Sequence, residues 1–199
     1  MSTFNWLNFA EAAIGAGVGT AVGAAVVFLI ERHRREQDRK DRDIAATNVA
    51  LHKLCAILNS TAQIQREIVK PARDSVARWY ELRPFSTPPA VDIDTGSLSY
   101  LFSGNFRNVP NELMLEVDRY NTLRFTIDQL RLYHMEQAQP AIERMQFQGK
   151  ASVESLKAAC GPRLVGILSA LTDSIVEFVD ANVQSVNAAA ERLRQGGQE

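Results

Sequence analysis

The sequence contains few of the residues that build metal centres and disulfide frameworks, with two cysteines and three histidines in 199 residues. Cys55 and Cys160 lie among apolar residues of predicted helices, which is typical of small buried side chains in a reducing compartment. No histidine belongs to an HExxH motif, and none has a glutamate three residues before it. A two-metal helical bundle would need such pairs. The sequence therefore predicts no metal and no cofactor.

The usual signatures of catalysis are also missing. There is no G-x-S-x-G motif, and the glycines near residue 15 lack the Gly-Lys-Ser/Thr ending of a phosphate-binding loop. His134 lies on a predicted apolar seam and is expected to be a satisfied core or edge histidine. Glu112 and Glu116 share a helix face, but Arg119 is close enough to pair with Glu116, which predicts a solvated charged face. We therefore expect the protein not to be an enzyme.

Charge is nearly balanced over the whole chain and very uneven along it. The net charge is −1, and the basic residues alternate with acids without an accompanying aromatic set, which disfavours nucleic-acid binding. Glu11 is the one charged residue before Glu31, and almost every residue from there to Asp43 is charged. This boundary and the later proline pattern divide the chain into an anchor (1–31), a charged collar with a long helix (32–83), a connector (84–110) and a helical hairpin (111–199).

The longest apolar run covers residues 12–30 and reads AAIGAGVGTAVGAAVVFLI, in which Thr20 is the one polar side chain. In a helix this run extends over about 28 Å, close to the hydrocarbon thickness of a bilayer. Leu7 and Phe9 extend it outward. The run predicts a single transmembrane helix at about residues 7–31.

Three alternatives compete with a membrane span. A cleaved signal peptide normally begins with positive charge, and Met1 to Leu7 contains no lysine or arginine. A buried soluble helix is possible in composition, but each glycine costs a helix about 1 kcal/mol relative to alanine. An interfacial helix needs a polar face, which this run lacks. A membrane anchor is therefore the favoured interpretation.

Basic residues predict how the anchor is oriented. None precedes the apolar run, whereas the collar after it contains Arg32, Arg34, Arg35, Arg39, Lys40 and Arg42. The positive-inside rule then places the N-terminus outside and the C-terminal domain in the cytoplasm of a single-pass protein of the cell (inner) membrane. Arg32, Arg34 and Arg35 are the candidate membrane-surface residues, acting on anionic head groups or as topology determinants alone.

Glycines recur along one side of the predicted anchor. Gly15, Gly19 and Gly23 are spaced four residues apart, which aligns them on a helix and lets a second helix approach closely. This glycine face predicts self-association or docking on another membrane protein. The alternative is that glycine and alanine are simply common in membrane helices.

The collar continues into a helix with a heptad-like seam of two rows, Ile44, Leu51 and Leu58 beside Leu54, Thr61 and Ile68. Pro71 predicts a kink or break near Lys70, and the helix should end by Arg83, before Pro84.

The connector at 84–110 contains six prolines and glycines that rule out a long regular element, namely Pro84, Pro88, Pro89, Gly96, Gly104 and Pro110. We expect it to be functional or partly mobile. Within it, Ser97 to Phe102 predicts a short helical turn that packs Leu98, Leu101 and Phe102 on the bundle.

The next helix is predicted from Asn111 to Gln148, with a kink at Pro140 and an end at Gly149. Its apolar seam is Leu113, Val117, Tyr120, Leu123, Ile127, Leu130, His134, Ala138, Ile142 and Met145. Arg124, Asp128 and Arg131 have the spacing of a surface ion-pair ladder.

The last helix is predicted to begin at an N-cap, Ser152, to bend at Gly161-Pro162 and to end at Gly196-Gly197.

The predicted fold is all-α, with one N-terminal transmembrane helix followed by an antiparallel, coiled-coil-like three-helix bundle with a long irregular connector. The predicted function is a membrane-anchored helical scaffold or interaction protein that self-associates. Its expected partners are the lipid bilayer and a second copy or another membrane protein at the glycine face. The alternatives are a small membrane-perturbing or pore-forming oligomer and a signalling relay from membrane to cytoplasm.

Overall fold

The computed structural model describes the backbone of residues 6–82, 84–102, 105–145 and 151–197, and the side chains of these ranges from Gly23 onward. The chain divides into two compact units, residues 1–45 and 46–199. Every regular element within the described ranges is helical, and none of these ranges contains a strand. The all-α prediction is confirmed.

The first helix, α1, runs from Trp6 to Ile64 over 59 residues. Among the residues described, the structure contains no helix with the length and apolarity needed to cross a membrane. Most of the predicted anchor at 7–31, including the side-chain positions of Gly15 and Gly19, lies outside the described side chains. The transmembrane part of the predicted fold therefore stays a prediction.

In the second unit, the buried side of α1 follows alternating steps of three and four residues, through Thr47, Ala50, Leu54, Ile57, Thr61 and Ile64. Leu54 and Thr61 were predicted in the seam. The other predicted row is confirmed in part, because Leu51 and Leu58 are partly buried and pack against a core cluster, whereas Ile44 is 49% exposed. One residue corresponds to about 100° around a helix, so burial of Ala50 and Ile57 turns Leu51 and Leu58 to the edge of the seam.

A π-helical turn, Gln65–Val69, follows α1 and leads into the short helix α2, Lys70–Ala72. Pro71 has no amide hydrogen, and its ring would clash with the carbonyl of Glu67 in a regular α-helix. The wider π turn accommodates both effects. The predicted break near Lys70 is confirmed. A further short helix, α3 (Arg78–Glu81), ends before Pro84, also as predicted.

The connector contains a 3₁₀ helix from Thr95 to Phe102. Leu98 and Leu101 are buried in it, as predicted, at 0% and 2% exposure. Phe102 was predicted to pack with them but is 50% exposed. The backbone is kinked at Leu98, with φ of −96° and ψ of 15°, so no single 3₁₀ repeat runs through the segment, and the turn after the kink buries Leu101 and leaves Phe102 half exposed.

Three backbone carbonyls of the connector accept hydrogen bonds from the next long helix, α4, which runs from Val109 to Tyr133. Arg124 Nε donates to Pro88 at 2.7 Å, Tyr120 Oη to Pro89 at 3.2 Å and Asn121 Nδ2 to Val91 at 3.5 Å. These side chains satisfy carbonyls that have no partner in a regular element. The connector therefore runs along α4, in the opposite direction, and is held there.

Helix α4 continues into a second π turn, His134–Ala138, and a short helix, α5 (Gln139–Arg144). Pro140 stands two residues after this turn, just as Pro71 stands two residues after the first. The kink predicted at Pro140 is confirmed, while Gln148 and Gly149 lie outside the described residues.

Most of the predicted seam of this hairpin arm is buried, from Leu113 to Ala138. Of the last two positions, Ile142 is partly buried and packs against the core as predicted, whereas Met145 was wrong because it is 50% exposed. The surface ladder forms only in part. Arg131 lies 3.5 Å from Asp128, whereas Arg124 is directed to the connector instead.

The final helix, α6, extends from Val153 to Gly196. Ser152 caps it as predicted, because its Oγ accepts a hydrogen bond from the Ser155 amide at 3.2 Å. Gly161 has φ = 75°, in the left-handed region that favours glycine, and with Pro162 it produces the predicted bend. The predicted end at Gly196-Gly197 is also confirmed.

Three long helices of the second unit enclose two core clusters. One contains Ala50, Leu54 and Ile57 of α1, Val109, Leu113 and Val117 of α4, and Val186, Ala189 and Leu193 of α6. The other contains Ile64, then Leu123, Ile127 and Leu130, then Leu168, Ile175 and Val179. Residue numbers rise along α1 and α4 as they fall along α6. Helix α6 is therefore antiparallel to both, but α1 and α4 are parallel, because the connector returns the chain to the starting end before α4 begins.

Candidate functional site

His134, the first residue of the second π turn, is buried at 4% exposure. Its ring stacks on Tyr80, with centroids 5.5 Å apart and planes inclined by 21°. Neither Nδ1 nor Nε2 meets a hydrogen-bond partner among the described atoms. The prediction of a core histidine is confirmed, but the prediction that it would be satisfied was wrong. A buried polar group of this kind is rare and requires an explanation.

The environment of His134 favours the neutral imidazole. Burial lowers the pKa of His134 below its ordinary value, and a contact with the Tyr80 backbone that falls outside the geometric limits of a hydrogen bond offsets part of that effect. The ordinary pKa of histidine is 6.5, and a histidine whose pKa is lowered further is mostly uncharged at neutral pH.

A cavity of about 850 Å³ lies against His134. It is formed where the two π turns and their prolines approach α3, and its wall includes Glu67, Pro71, Tyr80, Glu81, His134 and Gln139. Its volume is in the range of small-molecule sites. Both π turns occur at this one place, and π turns inside helices are frequent at functional sites.

Two carboxylates supply the formal charge among the described residues of the cavity wall. Glu67 accepts a hydrogen bond from Gln63 at 3.2 Å and another from Arg66 at 3.1 Å, and these contacts lower the pKa of Glu67. The carboxylate of Glu81 meets no partner within the described ranges. Both glutamates are exposed at the rim, whereas His134 lies at the base.

The sequence did not predict this cavity, because Pro71 and Pro140 each indicate a separate helix break. Pro71 and Pro140 each follow a polar residue and precede alanine, in Lys-Pro-Ala and Gln-Pro-Ala, and each interrupts an apolar seam. The two π turns lie close together because α1 and α4 are parallel, and no local sequence pattern predicts that orientation.

Glu116 was predicted to lie on a solvated face and is instead buried at 4% exposure. It accepts hydrogen bonds from Arg119 Nη1 at 2.7 Å and from Ser185 Oγ at 2.6 Å. Helix α6 covers this side of α4 and supplies the serine, which explains the difference. Glu112 pairs with Arg192 of the same helix, closer to solvent.

The cysteines and the other acidic groups give no sign of a metal centre. Within the part of the chain that is described, no cluster of three or more potential ligands could hold a metal ion. Cys160 is partly buried, which raises the pKa of its thiol. Cys55 was predicted to be buried but is exposed, because it follows Leu54 and lies one residue off the seam.

The predicted membrane-surface residues all lie on an exposed part of α1. Arg32 Nε lies 3.1 Å from Glu36, and Arg35 Nε lies 3.0 Å from Glu31. Arg34 is likewise exposed. These surface pairs contribute little to stability, so both basic side chains are available for other contacts.

Of the predicted glycine face, Gly23 is the member with a described position. A Cβ added there would meet no described heavy atom within 4 Å. Gly15 and Gly19 lie outside the described side chains, so whether the three form one packing face is not tested.

Between Gly23 and the charged collar, α1 exposes five consecutive large apolar side chains. The exposed fractions of Val26, Val27, Phe28, Leu29 and Ile30 are 49%, 67%, 66%, 62% and 63%. Consecutive positions point to all sides of a helix, so this apolar surface surrounds the helix and is not confined to one face.

Comparison of the chain with protein-family models, with curated proteins and with solved structures finds no match.

Proposed function

We propose that the protein is a membrane-anchored helical scaffold. Its N-terminal helix inserts as a single span with the N-terminus outside, self-associates through Gly15, Gly19 and Gly23, and holds the three-helix unit at the cytoplasmic surface. The second unit supplies surfaces for other proteins. No catalytic activity is part of this proposal.

The exposure of Val26 to Ile30 is the observation that carries it. Each such side chain gains about 1.5–3 kcal/mol when it is fully removed from water. Contiguous exposed apolar surface of this kind marks a membrane or protein interface. A bilayer would cover all sides of the helix, and the uncharged run of residues 12–30 gives the segment sufficient length.

The charged collar immediately after Ile30 supports the orientation. Arg32, Arg34 and Arg35 would lie at the level of the lipid head groups, where each basic residue contributes about 1 kcal/mol of attraction to an anionic surface.

Membrane extraction tests the anchor. The full-length protein should remain in the membrane pellet after washing with alkaline carbonate. Val27→Glu combined with Leu29→Glu should move it to the supernatant, because a charged residue within a span costs about 2.5–3.5 kcal/mol. Val76→Glu is the matched control, since Val76 is an 81% exposed valine of the second unit. If wild type and control are both extracted by carbonate, the chain is not an integral membrane protein.

Protease added to intact cells tests the orientation, and it should leave the second unit uncut. Digestion of that unit from outside would reverse the proposed topology.

Self-association is tested separately by a membrane two-hybrid assay on the full chain. Gly19→Ile should lower the signal because a branched side chain holds two helices apart at a glycine face. Thr20→Ile, about 100° around the helix, is the control. Equal signals from the two variants would remove the glycine face from the proposal and leave the anchor intact. Dye leakage from cells that express the full chain would instead favour a pore-forming oligomer.

A further inference from the structure

The cavity at the paired π turns has three properties that membrane anchoring and self-association do not require. It has a buried histidine with two unpartnered ring nitrogens at its base, a volume of about 850 Å³, and carboxylates at its rim. A helix bundle that served only as a spacer would be more stable with an apolar residue at position 134, because an unpaired buried polar group costs about 1–3 kcal/mol.

The backbone around the cavity is as specialised as its side chains. The two π turns lie on parallel helices, and each precedes a proline, Pro71 or Pro140, which lies in the first turn of the short α-helix that follows and lacks the amide hydrogen of a regular helical hydrogen bond. The cavity wall includes Pro71 and Gln139, at the exits of the two turns. The irregular backbone therefore maintains a space that regular helices would close.

The charged residues of the cavity wall favour a ligand of positive charge. Glu67 and Glu81 are the formally charged groups among its described residues, and no described lysine or arginine belongs to it. The neutral His134 adds no positive charge at the base. Arg66 pairs with Glu67 at 3.1 Å, so Glu81 is the carboxylate of the wall without a described basic partner, and its charge attracts a cation and repels an anion.

The uncharged residues of the cavity wall favour a ligand whose remaining part is aromatic or apolar. Tyr80 and Phe85 present aromatic rings, and Ile68 and Met135 present apolar chains. Aromatic rings stabilise organic cations through cation–π interaction, by about 0.5–1 kcal/mol at exposed sites and more when water is excluded. A bare metal ion would find too few ligands, since no described cluster of three potential ligands is present.

We propose that this cavity binds an organic ammonium ion that carries an aromatic or apolar body. The ammonium group lies between the Glu81 carboxylate and the Tyr80 ring, and the body packs against Phe85 and Met135. The assignment is independent of the membrane anchor, because every residue that supports it belongs to the second unit.

Calorimetry on the full-length protein in lipid nanodiscs tests the charge requirement. 2-Phenylethylamine, a cation at pH 7.5, is compared with 2-phenylethanol, a neutral molecule of similar size, and empty nanodiscs correct for partition into lipid. The amine should bind about tenfold more tightly than the alcohol. Equal affinities, or binding of neither molecule, would overturn the proposal.

Variants test the assigned residues. Glu81→Gln should weaken amine binding by about fivefold, as expected for loss of one partly exposed charge contact, and leave alcohol binding unchanged. Glu191→Gln is the matched control, because Glu191 is an exposed helix carboxylate paired with Arg194 at 3.0 Å outside the cavity. If the two variants weaken amine binding equally, the effect is one of net charge and not of this site.

Methionine methyl NMR tests the location in the same sample. Met135 lies in the cavity wall, whereas Met114 lies on the same helical arm outside it and is exposed to the same degree, at 51%. The amine should shift the Met135 signal at concentrations that leave Met114 unchanged. An equal shift of both signals would place the bound amine elsewhere.

Discussion

His134 illustrates how a single buried side chain couples a helix bundle to pH. The folded chain holds the imidazole away from water with no described partner for either nitrogen, and the Tyr80 ring stacks on one face. A second proton would bring a charge and a further donor into this environment. Protonation therefore occurs more readily in the unfolded chain, where the side chain has its ordinary pKa.

This difference predicts that the protein loses stability in mild acid. Because the folded-state pKa of His134 is lowered, the unfolded state binds more protons once the pH falls below the ordinary value of 6.5. The contribution is constant above that pH and is lost below it, by at most about 1.4 kcal/mol per pH unit. Urea unfolding at pH 7.5 and 5.5 measures it.

The variant that isolates this contribution is His134→Phe, which keeps a ring against Tyr80 but cannot be protonated. Its stability should change less between the two pH values than that of the wild type. His52→Gln, at an exposed histidine, should behave like the wild type. A His134→Phe variant with undiminished pH dependence would show that other groups are responsible.

Glu116 provides a second prediction at the scale of the residue. Arg119→Met should lower the free energy of unfolding by about 1–3 kcal/mol, because it leaves a buried carboxylate with Ser185 as its remaining described side-chain partner. Adding Glu116→Gln to this variant should restore most of the loss, since a neutral amide tolerates burial and still accepts from the serine. Chemical denaturation of the three proteins measures both changes. A double variant as unstable as Arg119→Met would show that the arginine stabilises the fold by packing alone.

At the scale of the element, α6 contains two glycines with opposite surroundings. A Cβ at Gly196 would lie 2.9 Å from Phe106 Cγ and 3.0 Å from Leu101 Cδ2, whereas a Cβ at Gly166 would meet no described atom within 4 Å. Gly196 is buried and Gly166 is exposed. One glycine therefore permits close packing against the connector, and the other only weakens the helix.

Alanine substitution should separate these roles. Gly166→Ala should raise the free energy of unfolding by about 0.5–1 kcal/mol, because alanine loses less conformational freedom in a helix. Gly196→Ala should lower it by about 1–3 kcal/mol, since the methyl group overpacks the contact. Urea midpoints of the two variants compare them directly. Equal stabilisation would mean that Phe106 and Leu101 move aside at no cost.

Local chemistry explains which features of the elements were predictable. Ser152, Gly161-Pro162 and the two interrupting prolines act through neighbouring backbone groups, so sequence patterns placed them correctly. The register of the α1 seam was not local. Ala50 is a small residue beside the larger Leu51, and only the approach of α4 and α6 determines which of the two is buried. For the same reason Glu116 could not be distinguished from a solvated carboxylate without α6 in place.

At the scale of the whole molecule, the connector determines the topology. It makes the first two long helices, α1 and α4, parallel and α6 antiparallel to both, whereas in a simple up-and-down order the first and third helices would be parallel. This arrangement brings the two π turns together, so the candidate site depends on a segment that contributes few of its residues. Nothing in the spacing of Pro84, Pro88 and Pro89 predicted that their neighbourhood would be held along α4.

The connector contacts predict resistance to proteolysis. In the native protein, the segment from Pro88 to Val91 should be cut slowly, because Tyr120, Asn121 and Arg124 donate to its carbonyls. Arg124→Ala removes the shortest of these hydrogen bonds and should accelerate cleavage in the connector severalfold. Arg144→Ala is the control on the same helical arm, since Arg144 is an exposed residue of α5, beyond the second π turn. Mass spectrometry of early fragments identifies the cut, and equal rates in the two variants would contradict a holding role for Arg124.

Both core clusters contain residues of α6, and this determines when they can form during protein synthesis. Val186 and Leu193 complete one cluster, and Leu168 and Ile175 complete the other, so neither can close before this 44-residue helix has been made. A ribosome that adds about 5–20 residues per second needs about 2–9 s to translate α6, and by then residues 1–152 have already been made. During that interval the apolar faces of α1 and α4 have no cover. The nascent chain is then an expected client for chaperones, while the proposed anchor is already available to the membrane insertion machinery.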